Sequence, residues 1–388
     1  MIDGITLRNF KAFAEITVPL KRLTLLTGLN SSGKSTVLQA FALMRQVEFV
    51  PGIGGHAVAL NGEYVELGLG RDVRHEAWIG AGAIEVELHS DVVAPDGRRG
   101  WGHWSAEYRA EEDMLLIRSG SGAIRALEPQ GEPGGERRHR VGYIPEAITG
   151  SGFQYLRADR ISPAASYLRS TVVQSGFLGA RGEHAVNYLR IHQDDEVDPA
   201  LRHSDAVGVT LLRQVEAWLG DLCPGVNLQA TGIDGTDAVR LSYSQGTAGL
   251  SSSNRYRPTN VGFGLTYVLP IVIACLTARR NGLILLENPE AHLHPRGQSA
   301  MAQLIACAAA TGAQVIVESH SDHVLNGLRI AVKRGVITPE ELQLLYFRMD
   351  DNGVRRADPI TVLPSGAIEA WPPGFFDEWD HALDALID

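Results

Sequence analysis

No apolar run in this 388-residue sequence is long enough to cross a bilayer. The longest, Leu265 to Ala278, falls short of the roughly 20 residues a spanning helix needs and contains Pro270, so it is read as a buried helix with no membrane role. Cysteine is scarce too. Cys223, Cys275 and Cys307 are odd in number and form no Cys-x-x-Cys pair, which speaks for reduced thiols in a cytoplasmic compartment rather than a disulfide framework. The N-terminus carries Asp3 and Arg8 early and shows no signal-peptide pattern, so a cytoplasmic location is expected. An excess of basic charge is missing. The net charge of -10 argues against a general nucleic-acid-coating surface and leaves room for a local basic groove. Sustained heptads are absent, which excludes a long coiled-coil arm, and no internal repeat stands out. With 44% hydrophobic and 21% charged residues, the chain has the composition of a soluble globular protein, long enough for one large domain or two ordinary ones.

What is present begins with Gly28-Leu29-Asn30-Ser31-Ser32-Gly33-Lys34-Ser35-Thr36, a complete Gly-x-x-x-x-Gly-Lys-Ser/Thr phosphate-binding loop. Its flanks suit it. Leu23 to Thr27 reads as a buried strand, and Val37, Leu38, Phe41, Ala42 and Met44 recur at helical spacing. Strand, glycine-rich loop and helix N-terminus together make an anion site, because exposed backbone N–H groups and the positive end of the helix dipole face the phosphates. Lys34 is expected to reach the β- and γ-phosphates, and the Ser35 hydroxyl to complete the coordination of Mg²⁺. The chain is therefore read as binding a nucleotide.

Three strands are expected before the loop. From about 50 to 145, alternating segments such as Ile84-Glu85-Val86-Glu87-Leu88 and Met114 to Ile117 predict an antiparallel β-subdomain. Within it, residues 131–140 are expected to be a mobile loop, whose basic cluster is either a solvated face or a phosphate contact. Residues 150 to 230 read as more helical, around Ala185 to Ile191 and Val209 to Leu219, with Asp194-Asp195-Glu196 on an exposed turn. Beyond 231, Leu283 to Leu286 and Gln314 to Val317 have the length of buried parallel strands, with Gln298 to Ala310 as the crossover helix between them.

Leu7-Arg8-Asn9-Phe10-Lys11-Ala12-Phe13, followed by Leu23 to Asn30, resembles the N-terminus of RecF-like and SMC-like ATPases, the ABC-type branch of the P-loop NTPases. Leu283-Ile284-Leu285-Leu286-Glu287-Asn288-Pro289-Glu290 resembles their Walker B motif: a buried strand ending in a carboxylate, which implies Glu287 on the metal side. Where that family usually has a glutamate that polarises water, this chain has Asn288, an amide unable to accept a proton as a carboxylate can. Asn288 could still orient water, Glu290 is the nearest replacement base, and slow or partner-dependent hydrolysis is expected. Glu290, His292 and His294 by themselves would also admit a metal site. The run Glu-Asn-Pro-Glu-Ala-His-Leu-His-Pro instead looks like the Walker B and D-loop of OLD-like and RecF-like ATPases, which implies contact across a dimer. His320, in Val315 to Ser321, resembles the histidine switch that senses the γ-phosphate. Asn260 to Thr266, with Gly262 and Gly264, stands where a signature motif would cap the phosphate of the opposite subunit. No glutamine-loop can be placed, since Tyr64 to Gly68 lacks a Gln.

The ending, Leu363-Pro364-Ser365-Gly366 through Trp371-Pro372-Pro373-Gly374-Phe375-Phe376-Asp377-Glu378, resembles a subgroup of AAA-like, ABC-type ATPases implicated in bacterial anti-phage defence beside a separately encoded effector. The expected fold is an α/β P-loop NTPase of ABC/SMC-like type, a mostly parallel sheet with helices on both faces plus an antiparallel β-subdomain and a helical subdomain. The expected layout is an ATPase domain over 1–350, with insertions at about 50–145 and 150–230, then a C-terminal segment over 351–388. The resemblance implies ATP and Mg²⁺ as cofactors and a homodimer or higher oligomer as the working form. Competing readings are a RecF-like clamp on duplex DNA, a nucleotide-dependent scaffold and, least of all, a small-molecule kinase, for which no acceptor-site base is evident.

Overall fold

Two five-residue runs, Leu283 to Glu287 and Gln314 to Glu318, each end in glutamate, are apolar before it except for Gln314, and show no alternation. In a strand that pattern means cover on both faces, and both runs are buried throughout. The computed structural model describes all residues except 51–54, 79–81, 94–98, 123–143, 172–174, 223–224, 247–253 and 388, so the loop expected at 131–140 lies outside the described residues.

In chain order, β1 (Ile2–Phe10), β2 (Phe13–Pro19) and β3 (Leu23–Gly28) lead into α1 (Lys34–Arg45). There follow β4 (Val47–Val50), β5 (Gly55–Ala59), the single turn α2 (Gly70–Val73), β6 (Ile84–Val93), β7 (Arg99–Ala106) and β8 (Met114–Gly122). The middle of the chain contributes α3 (Glu146–Thr149), β9 (Phe153–Leu156), β10 (Tyr167–Leu168), α4 (Ala185–His192), α5 (Leu211–Leu222), β11 (Val226–Gly232) and β12 (Ala238–Gln245). The last third gives α6 (Phe263–Leu276), β13 (Leu283–Glu287), α7 (Pro295–Ala310), β14 (Gln314–Glu318), α8 (Asp322–Lys333), β15 (Leu342–Met349), β16 (Arg355–Ile360) and α9 (Glu378–Ile387).

The central sheet has the order β16-β15-β3-β14-β13-β9. Its strands are parallel except β16, which runs antiparallel on the edge. Side chains alternate between two cores. Leu23, Leu25, Ile284, Leu286, Val315 and Val317 pack with helices α4 to α8. Leu26, Leu283, Leu285 and Ile316 face the other way, with α1 and the inner face of the second sheet. That second sheet is antiparallel, in the order β2-β1-β6-β7-β8-β5-β4, so the strands expected between 50 and 145 share it with the N-terminal hairpin. A small sheet, β10-β12-β11, covers the helical side. Helix α6 is the apolar run noted above; it is buried from Leu265 to Leu276, as the run's lack of a polar face requires.

One buried amide ties the two large sheets together. Gln314, the first residue of β14, accepts from the Ile2 N–H (3.0 Å) and donates to the Ile2 and Lys21 carbonyls (2.6 and 3.1 Å). Ile2 is 1% exposed, so no water replaces those bonds. Gln314→Leu keeps the volume and strands an N–H and a C=O, each of which costs about 1–3 kcal/mol when buried without a partner. The variant is expected to lose about 2 kcal/mol or more in urea unfolding. A loss within about 0.5 kcal/mol, the range of an ordinary surface change, would show that the bridge is not structural.

Candidate functional site

The loop from Gly28 to Gly33 is bent by two glycines that nothing else could replace. Gly28 has φ 127°, and a Cβ there would lie 2.1 Å from the Phe347 carbonyl oxygen on β15. Gly33, at the N-terminus of α1, has φ 103°, and its Cβ would lie 2.3 Å from the ring of the fully buried Phe13. Between them Ser31 is left-handed too, at φ 61°. The first turn of α1 holds no acidic residue, so its positive end is left for an anion. Lys34 is buried and turned into its own loop, donating to the Gly28 and Leu29 carbonyls (3.0 and 2.7 Å) and to the Ser32 hydroxyl (3.4 Å). Burial lowers its pKa, opposed by the nearby Glu318 carboxylate. Asn30 and Ser31 are exposed, while Ser32 and Thr36 are buried.

The acids gather where β13 and β14 end. Glu287 accepts from the Tyr155 hydroxyl (2.5 Å) and from the Ala158 N–H (2.9 Å). Burial, and then the Glu287 charge, holds the Tyr155 phenol well above its ordinary pKa, so it stays a donor. Ser35 does not meet Glu287; its hydroxyl donates to Glu318 (2.9 Å), the last residue of β14. Burial pushes the Glu318 carboxyl up to about 7, in spite of the Ser35 bond. Glu290 accepts from the His320 backbone N–H (3.0 Å), and burial raises its pKa. Burial, and then the Lys34 charge, lower the pKa of the His320 ring, which follows the end of β14. Asn288 has φ 44°, a left-handed conformation that asparagine tolerates better than most residues.

Five buried side-chain N or O atoms among the described residues lack a hydrogen-bond partner, and three of them are here: Asn288 Oδ1, Glu290 Oε2 and Glu318 Oε2. Buried acceptors left open cost free energy, so their gathering at the end of β14, where Glu318 meets Ser35, fits a site built for a hydrated divalent cation and phosphates.

The N-terminus of α6 is the other half of the constellation. Gly262 caps it with open space around its Cα, and Phe263 is 42% exposed. A Cβ on Gly264 would lie 2.7 Å from the His292 carbonyl, so this helix and the segment after Glu290 touch. The His292 ring packs 4.8 Å from both Phe263 and Tyr267, which is an aromatic contact and not a ligand cluster with Glu290 and His294. Arg160, buried over the Tyr267 ring, donates to the Glu287 and Asn288 carbonyls (2.5 and 2.7 Å). Burial lowers its pKa to about 10, which leaves it charged.

The structure thus brings Gly28 to Thr36, Glu287, Asn288, Glu290 and His320 to one end of the central sheet, with Gly262 and Gly264 attached through His292. Sequence reasoning missed Tyr155, Arg160, Glu318 and Arg355. For Glu318 a signal existed, since it closes its strand as Glu287 closes the other. Arg355, on β16, donates to the Ser31 and Ala12 carbonyls (3.3 and 3.0 Å) and so pins the left-handed turn of the loop. Losing such bonds is worth about 1 kcal/mol, so Arg355→Ala is expected to weaken binding of a fluorescent ATP analogue about fivefold with little change in melting temperature. Unchanged affinity would show that the loop holds its shape without the clamp.

Comparison with known proteins agrees with this geometry. Residues 1–76 match an AAA ATPase domain, and 179–326 match a family described as "AAA domain, putative AbiEii toxin, Type IV TA system". Residues 337–386 match DUF3696, a protein family of unknown function. No curated protein matches the chain. Among solved structures, the SmcHead bound to the C-winged helix domain of ScpA is similar at 15% identity and TM-score 0.53, over 93% of this chain and 98% of that one. The Smc head domain with an extended coiled coil, bound to the C-terminal domain of ScpA and derived from Pyrococcus furiosus, is similar at 12% identity and TM-score 0.50, over 100% and 99%. At such identities the likeness is one of fold. The chain carries AAA ATPase sequence in two stretches on an ABC/SMC-like P-loop fold, and it is a nucleotide-binding protein of that kind.

Proposed function

We propose that the protein is a Mg-ATP switch in which two copies close head to tail around two ATP molecules, controlling a separately encoded effector in bacterial anti-phage defence. The observation that carries the switch is the split constellation. Lys34, Ser35 and the open acceptors at Asn288, Glu290 and Glu318 form a phosphate and metal side, whereas the glycine-rich start of α6 stands exposed with nothing against Gly262. Such a helix N-terminus favours an anion, and the γ-phosphate of ATP held on the phosphate loop of a second copy would supply one. Leu29, 69% exposed in the loop itself, gives the closing face an apolar contact. When bound, Mg²⁺ supplies charge neutralisation at the β- and γ-phosphates. Ser35 and an acid at the end of β13 or β14 are the residues that would hold it.

The defence role rests on resemblance. The Glu287-to-Pro295 spelling is OLD-like, and one matched family description includes a toxin of a Type IV TA system. Both solved SMC heads are bound to a partner, ScpA, which parallels an effector docked on an ATPase head. Mass measurement tests the switch. With Mg²⁺ and ATP the wild type is expected at twice the 42.0 kDa protomer mass or above, and Lys34→Ala to show no ATP-dependent change. An oligomeric state indifferent to ATP in the wild type removes the sandwich from consideration.

Hydrolysis is the slow step of this switch, because the position after Glu287 holds an amide. Supplying a general base there is worth roughly 10²–10⁴-fold where geometry allows, less the approximately 1–2 kcal/mol of putting glutamate into a left-handed conformation. Asn288→Glu is therefore expected to raise steady-state ATP turnover by about tenfold or more. Brisk wild-type turnover that this substitution leaves unchanged would sink the idea.

A further inference from the structure

Glu287 and Glu318 end neighbouring parallel strands in register, yet their surroundings divide the work between them. Each Glu287 carboxylate oxygen accepts one bond, from Tyr155 of β9 and from the Ala158 N–H, and its main-chain oxygen accepts from Arg160. Tyr155 and Ala158 come from the β9 side of β13, away from the phosphate loop. Glu318 sits on the strand between β13 and β3, accepts the Ser35 hydroxyl on Oε1, and keeps Oε2 buried with no partner. Asn288, whose N–H bonds the Glu318 carbonyl, and Glu290, which accepts from the His320 N–H, also each have an acceptor without a partner. Ser35 is the hydroxyl that the loop offers to a divalent cation, and Mg²⁺ keeps several of its waters when it binds. A carboxylate joined to that hydroxyl, with its second oxygen unspent, is placed to accept from one of those waters. Partners of this kind typically cost 10- to 100-fold in metal affinity when removed.

We propose that Glu318 is the carboxylate serving the metal side of this site, acting through Ser35 and a metal-bound water, while Glu287 is a positioning residue that locks the end of β13 to β9 and to the 157–160 segment. The assignment rests on the Mg-ATP reading above and refines it. It needs no change in the fold: both acids keep the bonds they make now, and only the open Oε2 gains a partner.

The test uses the full chain with a non-hydrolysable ATP analogue and Mn²⁺ in place of Mg²⁺, free Mn²⁺ being read by electron paramagnetic resonance. Binding of the same analogue in EDTA reports the integrity of the loop. Glu318→Gln is expected to weaken Mn²⁺ binding about 10-fold or more, and Glu287→Gln by less than about 3-fold, with binding in EDTA retained in both. If Glu318→Gln does not fold, Glu318→Asp carries the comparison, since it keeps the charge but draws the carboxylate back from Ser35; the same ranking is expected. A larger loss in Glu287→Gln, or equal losses in the two variants, overturns the assignment. Should the wild type bind the analogue with Mn²⁺ affinity indifferent to Glu318, only this assignment falls; should it bind no nucleotide at all, the Mg-ATP reading falls with it.

Discussion

The position of β14 between β3 and β13 is the constraint on which the site depends. Leu26 stands opposite Glu318, and Glu318 opposite Glu287, in unbroken parallel register. Parallel strands in register end together, so the loops that follow them open on one edge of the sheet. Main-chain bonds then fasten those loops across the strands. The Asn288 N–H donates to the Glu318 carbonyl (2.9 Å), the Ser319 N–H to the Leu26 carbonyl (3.1 Å), and the His320 N–H to the Glu290 carboxylate. A shift of one residue in β14 would turn Glu318 into a core and bring an apolar side chain to Ser35. Both cores exclude this, because the sheet is covered by Leu, Ile and Val on each face.

The same logic draws the C-terminal stretch into the nucleotide loop. β15 pairs in parallel with β3, with Phe347 opposite Gly28, close enough to forbid a Cβ there. β16 then brings Arg355 over the turn at Ser31. Residues 337–386, matched apart from the ATPase stretches, thus supply one wall of the phosphate loop and hold one of its strained residues. Further along, the Phe375 and Trp371 rings pack together, Phe375 also meets Tyr346 on β15, and Arg329 of α8 lies over Trp371. Mechanical coupling between this segment and the nucleotide would run through β15 and β16, since they share the loop's sheet.

Much of this was legible in the sequence because it is local. A glycine-rich loop between an apolar strand and a helix specifies its own geometry, and two apolar runs of strand length around a 16-residue helix specify a parallel unit. Asn288 could be recognised as a departure, although not its left-handed backbone, which depends on the turn it occupies. What was hidden is long-range. Tyr155 and Arg160 reach Glu287 and Asn288 across more than a hundred residues of chain, and no spacing rule connects them. Glu318 was overlooked because the neighbouring histidine carried the resemblance. The antiparallel strands between 50 and 145 were readable from alternation, but their sharing of a sheet with β1 and β2 was not, since edge pairing leaves no periodic mark.

On the reading proposed above, the distribution of acids would let such a site hold ATP while cleaving it slowly. A general base must present a lone pair to the attacking water while its own pKa stays near the working pH. Glu287 already accepts one bond on each oxygen, from Tyr155 and Ala158 on the β9 side of its strand. Burial raises the Glu290 pKa toward the working range, but one of its oxygens is held by the His320 N–H. Asn288 offers an acceptor that cannot take the proton away. Glu318 keeps a free oxygen, but on the Ser35 side of the site, where a carboxylate serves the cation more directly than the water. On that reading Glu290, with one oxygen open, is the acid nearest to a base, and a second copy closing over the exposed start of α6 would complete the site.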